Sequence, residues 1–427
     1  MNAKATPDAV APAMPASPKP KLGPLGAQPA LSETAAMVQQ TVHRFAEDVL
    51  RPVGIQLDRM TPDAAIAPES PFWAARKQYL DLGFTIATMF ELEPAERAQV
   101  MSVLFEELGW GDAGLAISIG AGLLPAFMAA AFGNRFLMER FPDTMLGCWG
   151  ITEPDHGSDS LDANRMIFHA QGKYGRPNCV ATLDGDSVVI NGQKSAWVSN
   201  GTIAEVCILY CAADSGDGPD TQRGCVVYVP MDAPGVTRGK PLDKIGQRAL
   251  NQGEIYFDDV RLSKDYLLAG PDDYLQAVYA IHTFANSIMA TVFAGTARSA
   301  YELALGYAHE RKQGGVPIIR HQSVAHRLFH LARKVECSRA LAQRVVQYNL
   351  TNDPPALHAG MMAKVTSTQH AFEVASDALQ IFGGNGLTRE YPIEKILRDA
   401  RASLIEDGCN EVLAIKGGFY LIDEERL

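Results

Sequence analysis

The hydrophobic period of this chain changes twice, and that double change limits its fold more than any other feature. Near the start, Met37, Val38, Val42, Phe45, Val49 and Leu50 recur at helical steps behind Ser32, which is placed as an N-cap. The same texture predicts helices over 72–82, 93–108 and 115–132, the last apolar enough to be buried on most sides. After Phe141 and Pro142 the pattern shortens into β-branched runs such as CVATLDGDSVVINGQKSAWVS and GCVVYVP. Asp184–Gly185 and Asn191–Gly192 accept the positive dihedrals of tight hairpin turns, which predicts a meander of short strands over 178–198. From about Asp273 the helical period returns over 273–312, 321–350 and 356–382, with shorter helices after Pro392 and Gly408. Long helices with short connections are best buried as an antiparallel bundle. The expected fold is therefore mainly α with a central β domain: an N-terminal helical domain, a small β-barrel or sandwich, and a C-terminal four-helix bundle.

The expected boundaries are a tail over 1–30, a helical domain over 31–146, a β domain over 147–265 and a helical bundle over 266–427. A chain of 427 residues, 47% of them hydrophobic, can bury a core of that extent. Its tail is rich in Ala, Pro, Lys and Ser and cannot bury enough surface to offset chain entropy, so disorder is expected there. Prolines at 7, 12, 15, 18 and 20 interrupt any signal-peptide core, and no later run reads as a membrane span of uncharged apolar residues. A formal charge of −11 argues against nucleic acid and anionic membranes as partners. The seven cysteines stand singly, without metal-ligand spacing, as expected of reduced thiols in the cytoplasm and of a protein without a metal.

Three segments carry chemistry. Residues 148–159 read CWGITEPDHGSD, residues 190–201 read INGQKSAWVSNG, and residues 380–411 read QIFGGNGLTREYPIEKILRDARASLIEDGCNE. Together they resemble the signatures of the FAD-dependent acyl-CoA dehydrogenases, over about residues 31–420. A flavin site needs backbone amides and small hydroxyls at the polar edge of the isoalloxazine ring and an indole to shield one face. By resemblance, Trp149, Ile151, Thr152, Trp197 and Ser199 contact that ring, and Ser158 lies beside the substrate or the pyrophosphate. In RKQGGVPIIRHQ, Arg311 and Gln322 match an arginine–glutamine pair that holds the diphosphate and adenosine, a task suited to a guanidinium fork. Gln380, Gly383 and Gly384 correspond to a loop that meets the flavin of a neighbouring subunit, and Cys409 to a further cofactor contact. The resemblance thus implies a homotetramer, or at least a dimer.

The same resemblance implies a carboxylate that removes the α proton of an acyl thioester while the β carbon gives hydride to flavin N5. The family's glutamate is replaced here by Asp407, shorter by on the order of 1.5 Å. Glu406 is the neighbouring competitor; Gly408 and Asn410 keep the register in favour of Asp407, and Gly408 and Asn286 are expected beside the substrate. The substrate is then a thioester of coenzyme A or of an acyl carrier protein, and the electron acceptor an electron-transfer flavoprotein. Two other readings stay open. FANSIMATVFAGTARSAYELAL is similar to the nitroalkane oxidases, whose serine is matched by Ser287 but whose arginine is replaced by Ala414. The change of glutamate to aspartate also fits a flavin-retaining binding protein that has lost dehydrogenation.

Overall fold

The computed structural model describes residues 26–27, 30–161 and 175–422. The tail expected over 1–30 falls almost wholly outside the described residues. A single compact unit begins at Leu31.

Helices fill the chain up to Arg140, and most begin where the sequence supplies a cap. Ser32 accepts from the Ala35 amide at 3.1 Å and starts Glu33–Phe45, while Asp112 accepts from Leu115 at 2.9 Å and starts Ala113–Ala131. Pro71 and Pro94 each stand in the first turn of their helices, Pro71–Asp81 and Pro94–Gly111, where no amide is needed. Ala113–Ala131 is longer and more apolar than the sequence reading allowed: 19 residues with a mean hydropathy of 1.8. By length and composition it could cross a membrane, as could Tyr274–Glu310, but their apolar stretches are 78% and 89% buried inside the fold. Both are core helices, made apolar all round by packing on every side.

Eight strands follow: β1 (Gly147–Gly150), β2 (Cys179–Asp184), β3 (Ser187–Lys194), β4 (Val206–Asp214), β5 (Asp220–Pro230), β6 (Val236–Arg238), β7 (Ile255–Ser263) and β8 (Leu267–Ala269). They form one sheet in the order β6-β7-β3-β2-β4-β5-β8, with β1 parallel to β4. Among the described residues the ladder does not return from β8 to β6, so the closure of a barrel is not seen. Gly185 turns β2 into β3 at a φ of +55°, as the sequence predicts. The second expected turn is absent. Asn191 and Gly192 lie inside β3, where the register against β7 slips between Ile190 and Gly192. A bulge needs the same positive dihedral as a turn, and Gly192 has a φ of +121°. Any Cβ there would meet the Asn178 carbonyl at 1.9 Å, which explains the glycine.

Tyr274–Glu310 is the spine of the remaining chain, packed against Gln322–Thr351, Leu357–Phe382 and the earlier helix Pro94–Gly111. Counting the spine itself, the fourth long helix of this group thus comes from the N-terminal part of the chain. Buried charge ties these helices together: Arg298 bonds Glu106 and Glu107 at 2.5 Å each, and Arg339 reaches Glu106 at 2.9 Å. Ile393–Ala402 and Asn410–Phe419 close the chain, and the turn between them faces a large cavity.

Candidate active site

Five parts of the fold enclose a cavity of about 790 Å³. One wall runs from the end of β1 over 149–158, a second is the 196–199 loop after β3, and a third is the 242–252 connection before β7. The helices supply the fourth, through Ile117, Ala121 and Leu124 on one side and His282, Ala285, Ile288, Met289 and Val292 on another. The turn 405–408 closes it. Phe284 also lines the cavity and stacks on Phe127 with ring centroids 3.6 Å apart, so the helical wall is apolar.

Asp407 stands on this turn at a φ of +50°, in the left-handed region that asparagine and aspartate enter more readily than other non-glycine residues. Its carboxylate has no hydrogen-bond partner among the described residues and faces the cavity. Burial pushes its pKa up from the usual carboxylate range, while the Lys364 ammonium pulls it down. Glu406 also lines the cavity but is engaged: its carboxylate accepts from the Gln247 side-chain amide. Burial first, and then the charge of Asp407, push Glu406 up to about 7. Gln247 is itself fixed, its backbone amide on the Asp399 carboxylate at 2.5 Å and its side chain on the Asp399 carbonyl at 3.1 Å. Of the two adjacent carboxylates, one is anchored and the other is unencumbered.

The wall opposite is held from behind. Lys194 at the end of β3 is fully buried and reaches Glu153 at 2.6 Å and the Ile151 carbonyl at 3.2 Å, while Ser195 donates its amide to the Thr152 carbonyl at 2.9 Å. Thus the two signature segments are locked together across Lys194 and Glu153. Gln252 accepts from Lys244 at 2.8 Å and donates to the Trp197 carbonyl at 3.2 Å, which secures the 197–199 loop. Trp197 nonetheless leaves 60% of its surface exposed, and the indole N–H of Trp149 is buried without a partner. An exposed indole and an orphaned buried donor in one cavity suit a planar aromatic ring that carries acceptors, as an isoalloxazine does. His282 lies edge-on to Trp149 at 5.2 Å, donates Nδ1–H to the Val278 carbonyl at 2.8 Å, and is held down to about 4 by burial, hence neutral.

Of the residues expected at the site, Trp149, Ile151, Thr152, Ser158, Trp197, Ser199, Asp407 and Gly408 line the cavity together. Cys409 does not line it: its backbone amide donates to the Ser158 hydroxyl at 3.3 Å and so ties the turn to the first signature. Asn286 is also absent from the lining. Ala285 faces the cavity, and one further residue rotates the side chain by about 100° around a helix. Asn286 is fully buried against the helix interior, its amide on the His282 carbonyl at 2.9 Å. Ser287 bonds the Thr283 carbonyl one turn back at 2.7 Å, as a serine on a buried helix commonly does.

Arg311, Gln322, Gln380, Gly383 and Gly384 are exposed and do not line the cavity. Tyr307, one turn before Arg311, stacks on Phe382 at 4.2 Å and accepts from the Asn385 side-chain amide at 2.9 Å. Arg311 and the 383–384 loop therefore share one end of the bundle. Gln247, Lys244, Lys364 and His282 were not anticipated from sequence. No local pattern marks any of them, and only tertiary contact gives each a role; the signal nearest to Lys244 and Gln247 was KIGQRALNQ, which precedes β7.

Two family models cover this arrangement: the acyl-CoA dehydrogenase middle domain matches residues 148–260 and the acyl-CoA dehydrogenase C-terminal domain matches residues 278–416. The probable acyl-CoA dehydrogenase YngJ of Bacillus subtilis (strain 168) is 33% identical over 315 residues, 72% of this chain and 78% of its own. Butyryl-CoA dehydrogenase of Megasphaera elsdenii superposes with a TM-score of 0.80 at 25% identity, covering 93% of this chain and all of that one. A glutaryl-CoA dehydrogenase of Mycobacterium smegmatis, solved in complex with FADH2, superposes with a TM-score of 0.75 at 22% identity over 92% of this chain and 95% of that one. With the signature segments, the closing turn and the cavity lining from Trp149 onwards inside the matched regions, and a relative 33% identical over most of both chains, this chain belongs to the acyl-CoA dehydrogenase family.

Proposed function

We propose that this protein is an FAD-dependent dehydrogenase of acyl-CoA thioesters, forming the α,β double bond, with Asp407 as the base. The observation that carries the assignment of the base is the contrast between the two carboxylates of the closing turn. Glu406 is tied to Gln247, whereas Asp407 faces the cavity without a hydrogen-bond partner among the described residues. A general base must reach the proton it removes, and only the unencumbered group is placed to do so.

FAD, when bound, supplies the hydride acceptor for the β hydrogen. Trp149, Ile151, Thr152, Trp197 and Ser199 are the residues that would hold its ring. Arg311, Gln322, Gln380, Gly383 and Gly384 would hold the diphosphate and adenosine of a flavin in a neighbouring subunit, which makes the working form a dimer or a tetramer. Asp407 accepts the α proton, and its burial raises its basicity above that of an exposed carboxylate. The apolar helical wall, through Ile117, Leu124, Phe284, Ile288 and Val292, takes the acyl chain and excludes water from the reacting carbons. Trp149 is kept from turning by His282, whose neutral ring adds no charge to the flavin side of the site.

On this reading the chain divides near residues 147 and 266, works in the cytoplasm, and passes its electrons to an electron-transfer flavoprotein. An acyl carrier protein is the alternative to coenzyme A as the thioester's carrier. Anaerobic mixing of the flavin-loaded protein with a panel of acyl-CoA thioesters tests the central reading. Bleaching of the oxidised flavin band by at least one of them is expected; bleaching by none, with rapid turnover of nitroethane and peroxide release, would assign an oxidase instead.

A further inference from the structure

Behind the closing turn, on the side away from the cavity, lies a lysine that the reaction as described does not use. Lys364 sits in the middle of Leu357–Phe382 and is 0% exposed. Its ammonium donates to the Gly408 carbonyl and to the Asn410 side-chain oxygen, at 2.9 Å each. Thr368, one turn further along the same helix, donates to the Lys364 carbonyl at 2.8 Å and accepts from the Asn410 side-chain amide at 3.0 Å. Asn410 in turn begins the last helix and returns its amide to the Leu404 carbonyl at 3.0 Å. A buried ammonium thus holds the C-terminal side of the segment that contains Asp407, and the Asn410 backbone amide links that side to Leu404 at the other end.

We propose that Lys364 is a positioning residue for proton abstraction: it fixes the turn that presents Asp407 to the cavity, and its charge keeps that carboxylate ionised. This rests on the reading of Asp407 as the base. Two consecutive residues of the turn, Asp407 and Gly408, have positive φ, +50° and +88°. Aspartate in the left-handed region is held there at a cost, which surrounding contacts must offset. The contacts on this turn and its C-terminal flank from elsewhere in the fold include the two bonds from Lys364, the bond from Gln247 to Glu406 and the one from the Cys409 amide to Ser158.

A buried ammonium is costly without countercharge, and the groups facing it supply one. Burial lowers the pKa of Lys364 to about 8, with Asp407, Glu406, Cys409 and Glu411 acting in the opposite direction, so it stays a cation at neutral pH. Among the described residues, the Lys364 ammonium is the charge that opposes the effect of burial on Asp407. Glu406, whose pKa of about 7 leaves it partly protonated, is further offset by Lys244 across the cavity. Asp243 and Arg401, which also line the cavity, and neutral His282 are the further titratable groups facing the turn among the described residues. Removal of the Lys364 charge therefore leaves Asp407 with desolvation and a carboxyl neighbour, both of which favour its neutral form.

The test is the pH profile of flavin reduction by an acyl thioester in single turnover, for the native enzyme and for Lys364→Met. The sign follows from the charge: without the cation the Asp407 pKa rises, so the acid limb of the profile moves up by about one pH unit. Below that limb the variant is then roughly tenfold slower than native, and the difference narrows at high pH. An acid limb unchanged in the variant overturns the proposal, because a purely structural lysine would lower the rate at every pH alike. Should the Met variant not fold, Lys364→Arg decides: the charge is kept and its bonds are re-spaced, so the native acid limb with a lower plateau is expected. A native plateau, or a shifted limb, would contradict positioning by charge and bond. Failure of the native enzyme to reduce its flavin with any thioester overturns both this inference and the assignment of Asp407.

Discussion

Gln247 donates its side-chain amide to Glu406, one residue before Asp407, and is itself pinned by Asp399 at both its backbone and its side chain. Two neighbouring carboxylates thereby acquire different tasks from their surroundings alone. Glu406→Gln keeps an acceptor for Gln247 and removes a like charge beside the base. Flavin reduction in this variant is expected to retain most of the native rate. Rapid-mixing absorbance checks it; a fall of a thousandfold or so, the scale of a lost general base, would exchange the roles of the two residues.

The lock between the signature segments predicts a stability effect. Lys194 and Glu153 have side chains 0% and 7% exposed and meet at 2.6 Å. Lys194→Met leaves Glu153 buried without its cation, a change that typically costs about 3–5 kcal/mol. A lowered denaturant midpoint and a faster loss of flavin on dilution are expected. A native midpoint would show that the pair adds nothing to the wall.

Arg311 lies at the bundle end with the 383–384 loop, away from the cavity that Trp149 and Trp197 line. If that end serves a neighbouring subunit's flavin, Arg311→Ala will lower flavin occupancy while leaving the secondary structure intact. Sedimentation of the flavin-loaded protein should then give a dimer or tetramer. A monomer with full flavin occupancy would contradict the shared site.

Acid sensitivity follows from the buried charge cluster. Burial works against the Glu107 carboxylate, yet Arg298, His43 and Gln39 outweigh it and hold its pKa down to about 2, below the ordinary 4.5. A carboxylate depressed on folding contributes stability above its unfolded pKa and loses it as pH falls towards the folded one. The melting temperature should therefore drop between pH 4.5 and 2. Glu107→Gln should flatten that dependence in thermal melts followed by circular dichroism, and a slope identical to native would remove Glu107 as its source.

Much of this architecture was legible in the sequence because it rests on long periodic segments. Tyr274–Glu310, Gln322–Thr351 and Leu357–Phe382 begin and end within two residues of where the helical period and the Pro354–Pro355 break put them. The cavity wall of Trp149, Thr152, Trp197 and Ser199 and the turn at Asp407 were legible through family signatures rather than through period. What escaped depends on rotation and on distant contact. Asn286 and Ala285 are adjacent in sequence, but only one of them can face the cavity, and the local pattern of a helix apolar all round does not say which. Asn191–Gly192 reads alike for a turn and for a bulge, since both need the same dihedral. Lys364 lies 43 positions before Asp407 (407 − 364), as one charged residue on a helix, and nothing local distinguishes it from a solvated one.

Anaerobic stopped-flow absorbance of Asp407→Asn against the native enzyme tests the central claim most directly. With an acyl-CoA thioester that bleaches the native flavin, the variant should perturb its flavin spectrum on binding yet leave it oxidised. Bleaching of the variant at the native rate would show that another group removes the proton and that Asp407 is not the base.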